Sequence, residues 1–207
     1  MPDWMPIDDP QAVPRAAAVI EAGGLVILPT DTVYGVAADL WQPDAVQALY
    51  DAKRRPPDRA IPILLADPEH IETVAQSVPD AARRLADAFW PGPLTIVVPK
   101  RPNVPQIVSS LPTIGVRIPD HAGTREVIRA CGGALAVTSA NLSDEPPALT
   151  AQEAAAALGD DIALVLDGGP CPGGTPSTVV DVSGGDLRIL RAGPLGEAAL
   201  RRALEGG

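Results

Sequence analysis

Short apolar runs alternate with segments of helical spacing along most of the chain. The apolar runs predict strands at 25–29, 61–65, 94–98, 114–118, 135–138, 162–167, 177–181 and 187–190. The helical periodicity predicts helices at 44–53, 70–76, 80–89, 124–130, 150–158 and 197–204, the last of them on the surface. Pro62 favours an edge position or a bulge for the strand 61–65, because proline cannot donate to a strand ladder.

This alternation favours an α/β (α+β) fold in which helices cover one sheet. The 207 residues suit one domain or slightly more, and they contain no internal repeat and no low-complexity linker. We therefore expect a single domain.

Composition and charge exclude several classes of function. Apolar residues make up 46% and charged residues 20% of the chain, which excludes intrinsic disorder. Three Trp, two Tyr and one Phe are too few for a platform on which single-stranded nucleic acid stacks. The net charge of −10 disfavours nucleic-acid binding over the whole surface, so any anion site must be a local exception.

Cysteine and histidine are too scarce for a metal or disulfide framework. Cys131 and Cys171 form no C-x-x-C motif, and only His70 and His121 could supply imidazole, so we expect no protein-bound metal site. No secretory signal and no apolar run of membrane-spanning length are visible. We expect a cytoplasmic protein with no membrane contact.

Two segments in the first third of the chain have chemically useful side chains. Pro-Thr-Asp-Thr-Val-Tyr-Gly at 29–35 follows a predicted strand, where hydroxyls either satisfy free backbone groups or bind a small polar ligand. Lys53, Arg54 and Arg55 end a predicted helix ahead of two prolines. They either complement the helix macrodipole or form a local phosphate site.

Three further segments follow later strands. Arg117 lies between apolar neighbours on a strand and either forms a buried ion pair or grips a substrate carboxylate. His121 is interpreted as structural. Segment 137–143, with Ser-x-Asn, and the glycine loop leading to 177–181 are either self-bonded loops or ligand contacts. The common P-loop, dinucleotide, zinc-protease and hydrolase-elbow motifs are all absent.

Seven motifs, in this order, resemble the YrdC/Sua5 family of threonylcarbamoyl-AMP synthases over residues 21–193. They are Pro-Thr-Asp-Thr-Val-Tyr-Gly (29–35), Lys-x-Arg-Pro (53–56), Phe-Trp-Pro-Gly-Pro-Leu-Thr (89–95), Val-Arg-Ile-Pro-x-His (116–121), Ser-Ala-Asn (139–141), Ser-Thr-Val-Val-Asp (177–181) and Arg-x-Gly (191–193). The resemblance implies a YrdC-like twisted mixed β-sheet flanked by helices, with a concave, positively lined site. It also implies one domain over 1–207, with a core at about 15–193 and a C-terminal helix or tail at 194–207.

The reaction implied by the resemblance joins L-threonine, bicarbonate and ATP into L-threonylcarbamoyl-AMP and pyrophosphate, the first step of t6A37 modification of tRNA. A tRNA threonylcarbamoyl-transferase complex acts downstream. Mg²⁺ is expected only as a companion of ATP. No protein nucleophile is needed, because the carbamate itself attacks the α-phosphorus.

The same resemblance implies a role for each matching residue. Lys53 and Arg55 are the expected catalytic residues, which neutralise phosphate charge. The expected ATP-binding residues are Lys53, Arg55, Ser139, Asn141 and Arg191. The expected threonine-binding residues are Thr30, Thr32, Arg117 and Ser177, and one hydroxyl-bonding group must separate threonine from the isosteric valine.

Two departures and two alternatives accompany this interpretation. Asp144-Glu145-Pro146 replaces the glycine that often follows Ser-Ala-Asn-x-Ser in the family, and Arg54 replaces a frequent small or polar residue. The alternatives are a YciO-type paralogue without this activity and a double-stranded-RNA or tRNA-binding module. Contact with RNA would depend on the basic segment 53–59 and on Lys100 and Arg101.

Overall fold

The computed structural model describes residues 1–205, which form one ten-stranded mixed sheet with helices on both faces. The strands are β1 (Asp3–Pro6), β2 (Val26–Leu28), β3 (Gly35–Ala38), β4 (Ile63–Leu65), β5 (Leu94–Pro99), β6 (Thr113–Arg117), β7 (Ala134–Ser139), β8 (Leu164–Asp167), β9 (Thr178–Asp181) and β10 (Arg188–Arg191). The α-helices are α1 (Ala12–Glu21), α2 (Pro43–Ala52), α3 (Ile71–Val74), α4 (Asp80–Phe89), α5 (Ala122–Ala130), α6 (Ala151–Leu158) and α7 (Glu197–Glu205). The twisted mixed sheet flanked by helices is confirmed.

The strands follow the order β1-β8-β2-β3-β7-β4-β6-β5-β9-β10 across the sheet. Four neighbouring pairs are parallel: β1 with β8, β2 with β8, β4 with β6, and β5 with β9. β4 therefore lies in the interior between β7 and β6, and the expectation of an edge strand there is wrong. Its ladder begins at Ile63, so Pro62 precedes the paired residues and removes no ladder donor.

Alternation along the strands divides the apolar side chains between the two faces. One face packs against α2, α4, α6 and α7 through the larger core cluster, in which Leu49, Leu85 and Leu200 are fully buried. α1 and α5 pack on the other face through a smaller cluster. Leu200 anchors α7 to the core, although most of that helix is exposed, as expected.

The smaller cluster reaches β4 at Leu64 and stops there. In the β4–β6 pairing Leu64 lies opposite Arg117, and in the β5–β6 pairing Ile96 lies opposite Val116. Because Ile96 and Val116 belong to the larger cluster, the side chains of Thr95 and Arg117 lie on the opposite face, next to Leu64. Strand alternation thus places polar groups on this part of the sheet.

Local signals account for several helix ends. Thr150 and Glu153 form the predicted capping box at α6, with each side chain bonding the other residue's backbone N–H. His121 caps α5, because its Nδ1 accepts a hydrogen bond from the Thr124 N–H, as expected of a structural histidine. None of the helices among residues 1–205 is both long and apolar enough to span a membrane.

Candidate functional site

A cleft opens on the face that carries Arg117. Six of the residues expected at a binding site line it, namely Thr30, Thr32, Arg117, Ser139, Ser177 and Arg191. The other three, Lys53, Arg55 and Asn141, lie on the two adjoining loops rather than on the cleft wall. The structure therefore brings together residues as far apart in the sequence as Thr30 and Arg191, which are separated by 161 positions.

Thr30 and Thr32 build a hydrogen-bonded turn at the end of β2. Thr30 Oγ1 accepts from the N–H groups of Thr32 and Val33 and donates to the Val33 carbonyl at 2.7 Å. The Thr30 hydroxyl thus satisfies free backbone groups, which is the first of the two alternatives given above for segment 29–35. Both side chains also line the cleft, which is where a small polar ligand would meet them.

Arg117 is buried and is held by three different partners. Its Nε donates to the Gly92 carbonyl at 2.9 Å, Nη1 donates to Thr32 Oγ1 at 2.9 Å, and Nη2 pairs with Asp31 Oδ1 at 2.5 Å. Burial lowers the pKa of Arg117, and the Asp31 carboxylate opposes that shift. The buried ion pair foreseen for this arginine is present. Two of its five N–H groups make no hydrogen bond within residues 1–205.

Lys53 lies at the C-terminal end of α2 and is only 1% exposed. Its ammonium donates to the carbonyl oxygens of Ser139 and Asn141, and its own carbonyl accepts from the Ser143 N–H at 3.1 Å. Burial, and secondarily the charge of Arg55, lowers the pKa of Lys53 to about 8. The Lys-x-Arg and Ser-x-Asn segments therefore meet, and Lys53 joins them as a buried cation.

Arg55 and Asn141 complete the two loops beside the cleft. Arg55 Nη2 donates to the Ala60 carbonyl at 2.9 Å, which fixes its guanidinium against the following turn. Asn141 is 7% exposed and its Nδ2 donates to the carbonyls of Leu142 and Glu145, at 2.7 and 2.8 Å. Its Oδ1 is buried with no hydrogen-bond partner among the described residues. Buried polar atoms are usually hydrogen-bonded, so this oxygen is an exception within the loop.

The departures from the family pattern lie at the rim of this site. Asp144 adopts a φ of 68° and pairs with Arg59 at 2.7 Å. This exposed ion pair links the turn after Arg55 to the loop after Asn141. Within the basic segment 53–59, Lys53 is buried and Arg59 is paired, which leaves Arg54 as a solvent-exposed cation.

Arg191 closes the cleft from the strand next to Ser177. Its Nε and Nη2 donate to the Ser177 carbonyl at 3.1 and 2.9 Å, and Nη2 also lies 3.1 Å from Ser177 Oγ. Gly193 allows this close approach, because a Cβ at that position would lie 2.5 Å from the Thr178 nitrogen. The glycine of the Arg-x-Gly motif thus has a packing reason.

Thr95 is a cleft residue that the sequence reasoning missed. Its Oγ1 lies 2.8 Å from Ser177 Oγ, and its side chain lines the cleft. The available signal was its place at the end of the 89–95 motif together with the alternation of β5, which directs it away from Ile96 and the larger core.

The cations around the cleft affect one another. The charge of Arg55 contributes to lowering the pKa of both Lys53 and Arg191, after burial in each case, and the charge of Arg117 also lowers the pKa of Arg191. Four positive groups therefore lie close enough to repel one another in a chain of net charge −10. Such an arrangement is stabilised by a bound anion.

One group of metal-ligating residue types occurs outside the cleft. Asp67, Glu69 and His70 have ligand atoms within 4.8 Å of one another. However, the Asp67 carboxylate already pairs with Arg125 and Arg129, which hold its pKa at about 2. The two arginines belong to α5, so these ion pairs join the segment before α3 to α5, and the three residues do not line the cleft.

Comparison with known proteins finds one family model and several relatives that match most of this chain. The family model Sua5_yciO_yrdC, described as telomere recombination, matches residues 18–193. The chain is 40% identical to a protein of Mycobacterium tuberculosis strain H37Rv over 195 residues, which cover 94% of this chain and 89% of that protein. It is 37% identical to the threonylcarbamoyl-AMP synthase of Bacillus subtilis, covering 92% of this chain and 56% of the relative.

Solved structures show the same similarity. The structure of Pyrococcus abyssi Sua5 complexed with L-threonine matches with a TM-score of 0.91 and 34% identity, covering 99% of this chain and 60% of that one. The chain thus spans little more than half the length of the B. subtilis and P. abyssi proteins. Escherichia coli YciO matches with a TM-score of 0.86 at 21% identity, which shows a shared fold alone.

Proposed function

The chain belongs to the Sua5/YciO/YrdC family, and we propose that it synthesises L-threonylcarbamoyl-AMP from L-threonine, bicarbonate and ATP, the first step of t6A37 formation in tRNA. The observation that carries this proposal is the meeting of Lys53, Arg55, Arg117 and Arg191 around one hydroxyl-lined cleft. The names of the relatives support the choice of reaction within the family.

The reaction joins anionic partners. The threonine nitrogen attacks the bicarbonate carbon, and water leaves to give a carbamate. A carbamate oxygen then attacks the α-phosphorus, the bond from that phosphorus to its bridging oxygen breaks, and pyrophosphate leaves. Repulsion between the reactants opposes this attack, so positioning and charge neutralisation are the main contributions asked of the protein.

The phosphate groups are assigned to the loops beside the cleft and to the adjoining part of its wall at Ser139 and Arg191. Arg55 and Arg191 supply guanidinium groups, and Lys53 supplies its charge and the one N–H that the Ser139 and Asn141 carbonyls leave over. Ser139 offers a hydroxyl, and the unpartnered Oδ1 of Asn141 accepts from a donor on the nucleotide. Mg²⁺ enters as part of the MgATP substrate.

The amino acid is assigned to the wall formed by β2, β6 and β9. The two unused N–H groups of Arg117 bind the threonine carboxylate, while Asp31 holds the guanidinium in place. Thr32 and Ser177 supply further polar contacts. Thr30 contributes by shaping the turn, because its hydroxyl is already donated to the Val33 carbonyl.

Pyrophosphate release tests this function. The purified chain is incubated with MgATP, and threonine and bicarbonate are each omitted in turn. Release that requires both supports the synthase. Release that is indifferent to threonine, or no release under any condition, contradicts it, and the second result favours a YciO-type paralogue.

The product is consumed by a transferase that carries the threonylcarbamoyl group to tRNA. Direct contact of this chain with duplex RNA is a separate hypothesis, which depends mainly on Arg54 and Arg55 within the basic segment. It predicts RNA affinity that falls as salt concentration rises, measured by fluorescence anisotropy. Absence of binding at low salt refutes it.

A further inference from the structure

Two hydroxyl groups face each other in the wall of the cleft. Thr95 and Ser177 are 4% and 3% exposed, and their oxygens are 2.8 Å apart. Ser177 Oγ also accepts a hydrogen bond from Arg191 Nη2 at 3.1 Å. These are the hydrogen bonds that the two hydroxyl oxygens make within residues 1–205.

A count of hydrogens shows what this pair has left over. Each hydroxyl has one hydrogen, and the bond between Thr95 and Ser177 uses one of the two. If Ser177 donates, the Thr95 O–H is free, and if Thr95 donates, the Ser177 O–H is free. In either arrangement one buried O–H has no acceptor among the described residues, and lone pairs remain on Thr95 Oγ1.

The other buried hydroxyls of the cleft, on Thr30, Thr32 and Tyr34, have no hydrogen to spare, and that of Tyr34 is donated to the Gly169 carbonyl at 2.7 Å. Thr30 donates to the Val33 carbonyl, so the 2.9 Å contact between Thr30 and Thr32 uses the hydrogen of Thr32. Thr32 Oγ1 in turn accepts from Arg117 Nη1. Within this group, only the Thr95–Ser177 pair has a donor free for a ligand.

Packing holds Thr95 in the required orientation. A Cβ built on Gly115 of the neighbouring strand would lie 3.1 Å from Thr95 Cγ2. The methyl group of Thr95 thus packs closely over Gly115, and the hydroxyl is turned towards Ser177. The position of the Thr95 oxygen is therefore set by the sheet before any ligand binds, while its hydrogen is free to rotate.

We propose that the Thr95–Ser177 hydroxyl pair binds the side-chain hydroxyl of threonine and thereby rejects valine. This inference rests on the proposed function, since it names the specificity determinant of that site. The threonine hydroxyl accepts the free O–H and can donate to a remaining lone pair on the pair. Valine places a methyl group there and leaves the buried O–H unpaired, which favours threonine by about 10- to 100-fold for each bond lost.

The test compares threonine with valine in four variants of the hydroxyl pair and in one control variant. Thr95→Val and Ser177→Ala each remove one hydroxyl, and the double variant removes both. Thr95→Ser keeps the hydroxyl and removes the methyl group. Thr178→Val is the matched control, because Thr178 is also buried, bonds Leu195 and does not line the cleft. Affinities for both amino acids are measured by titration calorimetry, and turnover by pyrophosphate release.

The double variant is expected to lower the ratio of threonine to valine affinity by about 100-fold, and each single hydroxyl loss by about 10-fold. Thr95→Ser and Thr178→Val are expected to keep the ratio within about 3-fold. If the pair had only a structural role, its loss would lower the affinities for threonine and valine equally and leave their ratio unchanged. An unchanged ratio in the double variant overturns the inference.

One outcome separates this inference from the function on which it rests. Wild-type protein that binds threonine selectively but releases no pyrophosphate contradicts the synthase and not the hydroxyl site. If the double variant fails to fold, a crystal structure of the wild-type protein with threonine decides. The hydroxyl must lie within hydrogen-bond distance of Thr95 Oγ1 or Ser177 Oγ, and its placement against Thr138 or Ser139 overturns the proposal.

Discussion

Asp31→Ala tests the ion pair that presents Arg117 to the cleft. The Arg117 and Asp31 side chains are 6% and 13% exposed, so the charge is buried with its partner. Removing the carboxylate leaves a buried guanidinium whose remaining protein partners are Thr32 and Gly92. Breaking a buried pair in this way lowers the free energy of unfolding by about 3–5 kcal/mol.

This cost translates into a large change in melting temperature. An unfolding entropy of about 2.1 cal/mol/K per residue, over 207 residues, gives about 0.43 kcal/mol/K. The Tm of Asp31→Ala should therefore fall by about 7–12 °C, measured by scanning calorimetry. Asp120→Ala is the control, because that side chain is exposed and only its backbone N–H bonds Asp31.

A double-mutant cycle isolates the pair itself. Asp31→Ala combined with Arg117→Met removes both charges, and the double variant should be destabilised by less than the sum of the single effects. Additive effects, or a Tm loss below about 2 °C in Asp31→Ala, would show that the pair does not hold the guanidinium.

Two further predictions concern the phosphate side of the cleft. The affinity for a non-hydrolysable MgATP analogue should decrease, by at most tenfold per pH unit, as the pH rises through about 8, because burial lowers the pKa of Lys53 to about 8 and the charge is then lost. Lys53→Arg should remove this dependence, and an unchanged pH profile in that variant would refute the assignment to Lys53. Arg55→Gln should lower kcat/KM by about 100-fold or more while the Tm stays within about 2 °C of the wild-type value. Arg54→Gln is the control, because it removes the neighbouring exposed cation, and it should leave kcat/KM and Tm nearly unchanged. Equal losses of kcat/KM in the two variants would show a general charge effect.

Much of the fold follows from patterns that are local in sequence. The helix 80–89 has the predicted bounds, and the capping box places the start of α6, because both depend on residues within one or two turns. The predictions missed β1, α1 and β3. β1 is short, largely exposed and ends in proline, α1 contains Pro14, and β3 consists of glycine, alanine and valine, so none of them has a strong periodic signal.

The site was predictable as a set of residues and not as a set of contacts. The interior position of β4 depends on long-range pairing, which Pro62 does not reveal. Similarly, the sequence shows three adjacent cations at 53–55 but not that Lys53 is buried against two carbonyls from a segment 86 residues later. The sequence has 26 acidic residues that could pair with Arg117, and only the folded structure shows that Asp31 is the one that lies next to it.

The central claim is that Lys53, Arg55 and Arg191 surround the reacting phosphate, while Arg117 holds the threonine carboxylate beside it. A crystal structure of the chain with a non-hydrolysable MgATP analogue and threonine tests it most directly. We expect the α-phosphate within about 4 Å of at least two of Lys53, Arg55 and Arg191, with the threonine carboxylate on Arg117. A nucleotide whose phosphates lie outside the cleft, away from these groups, would contradict the account.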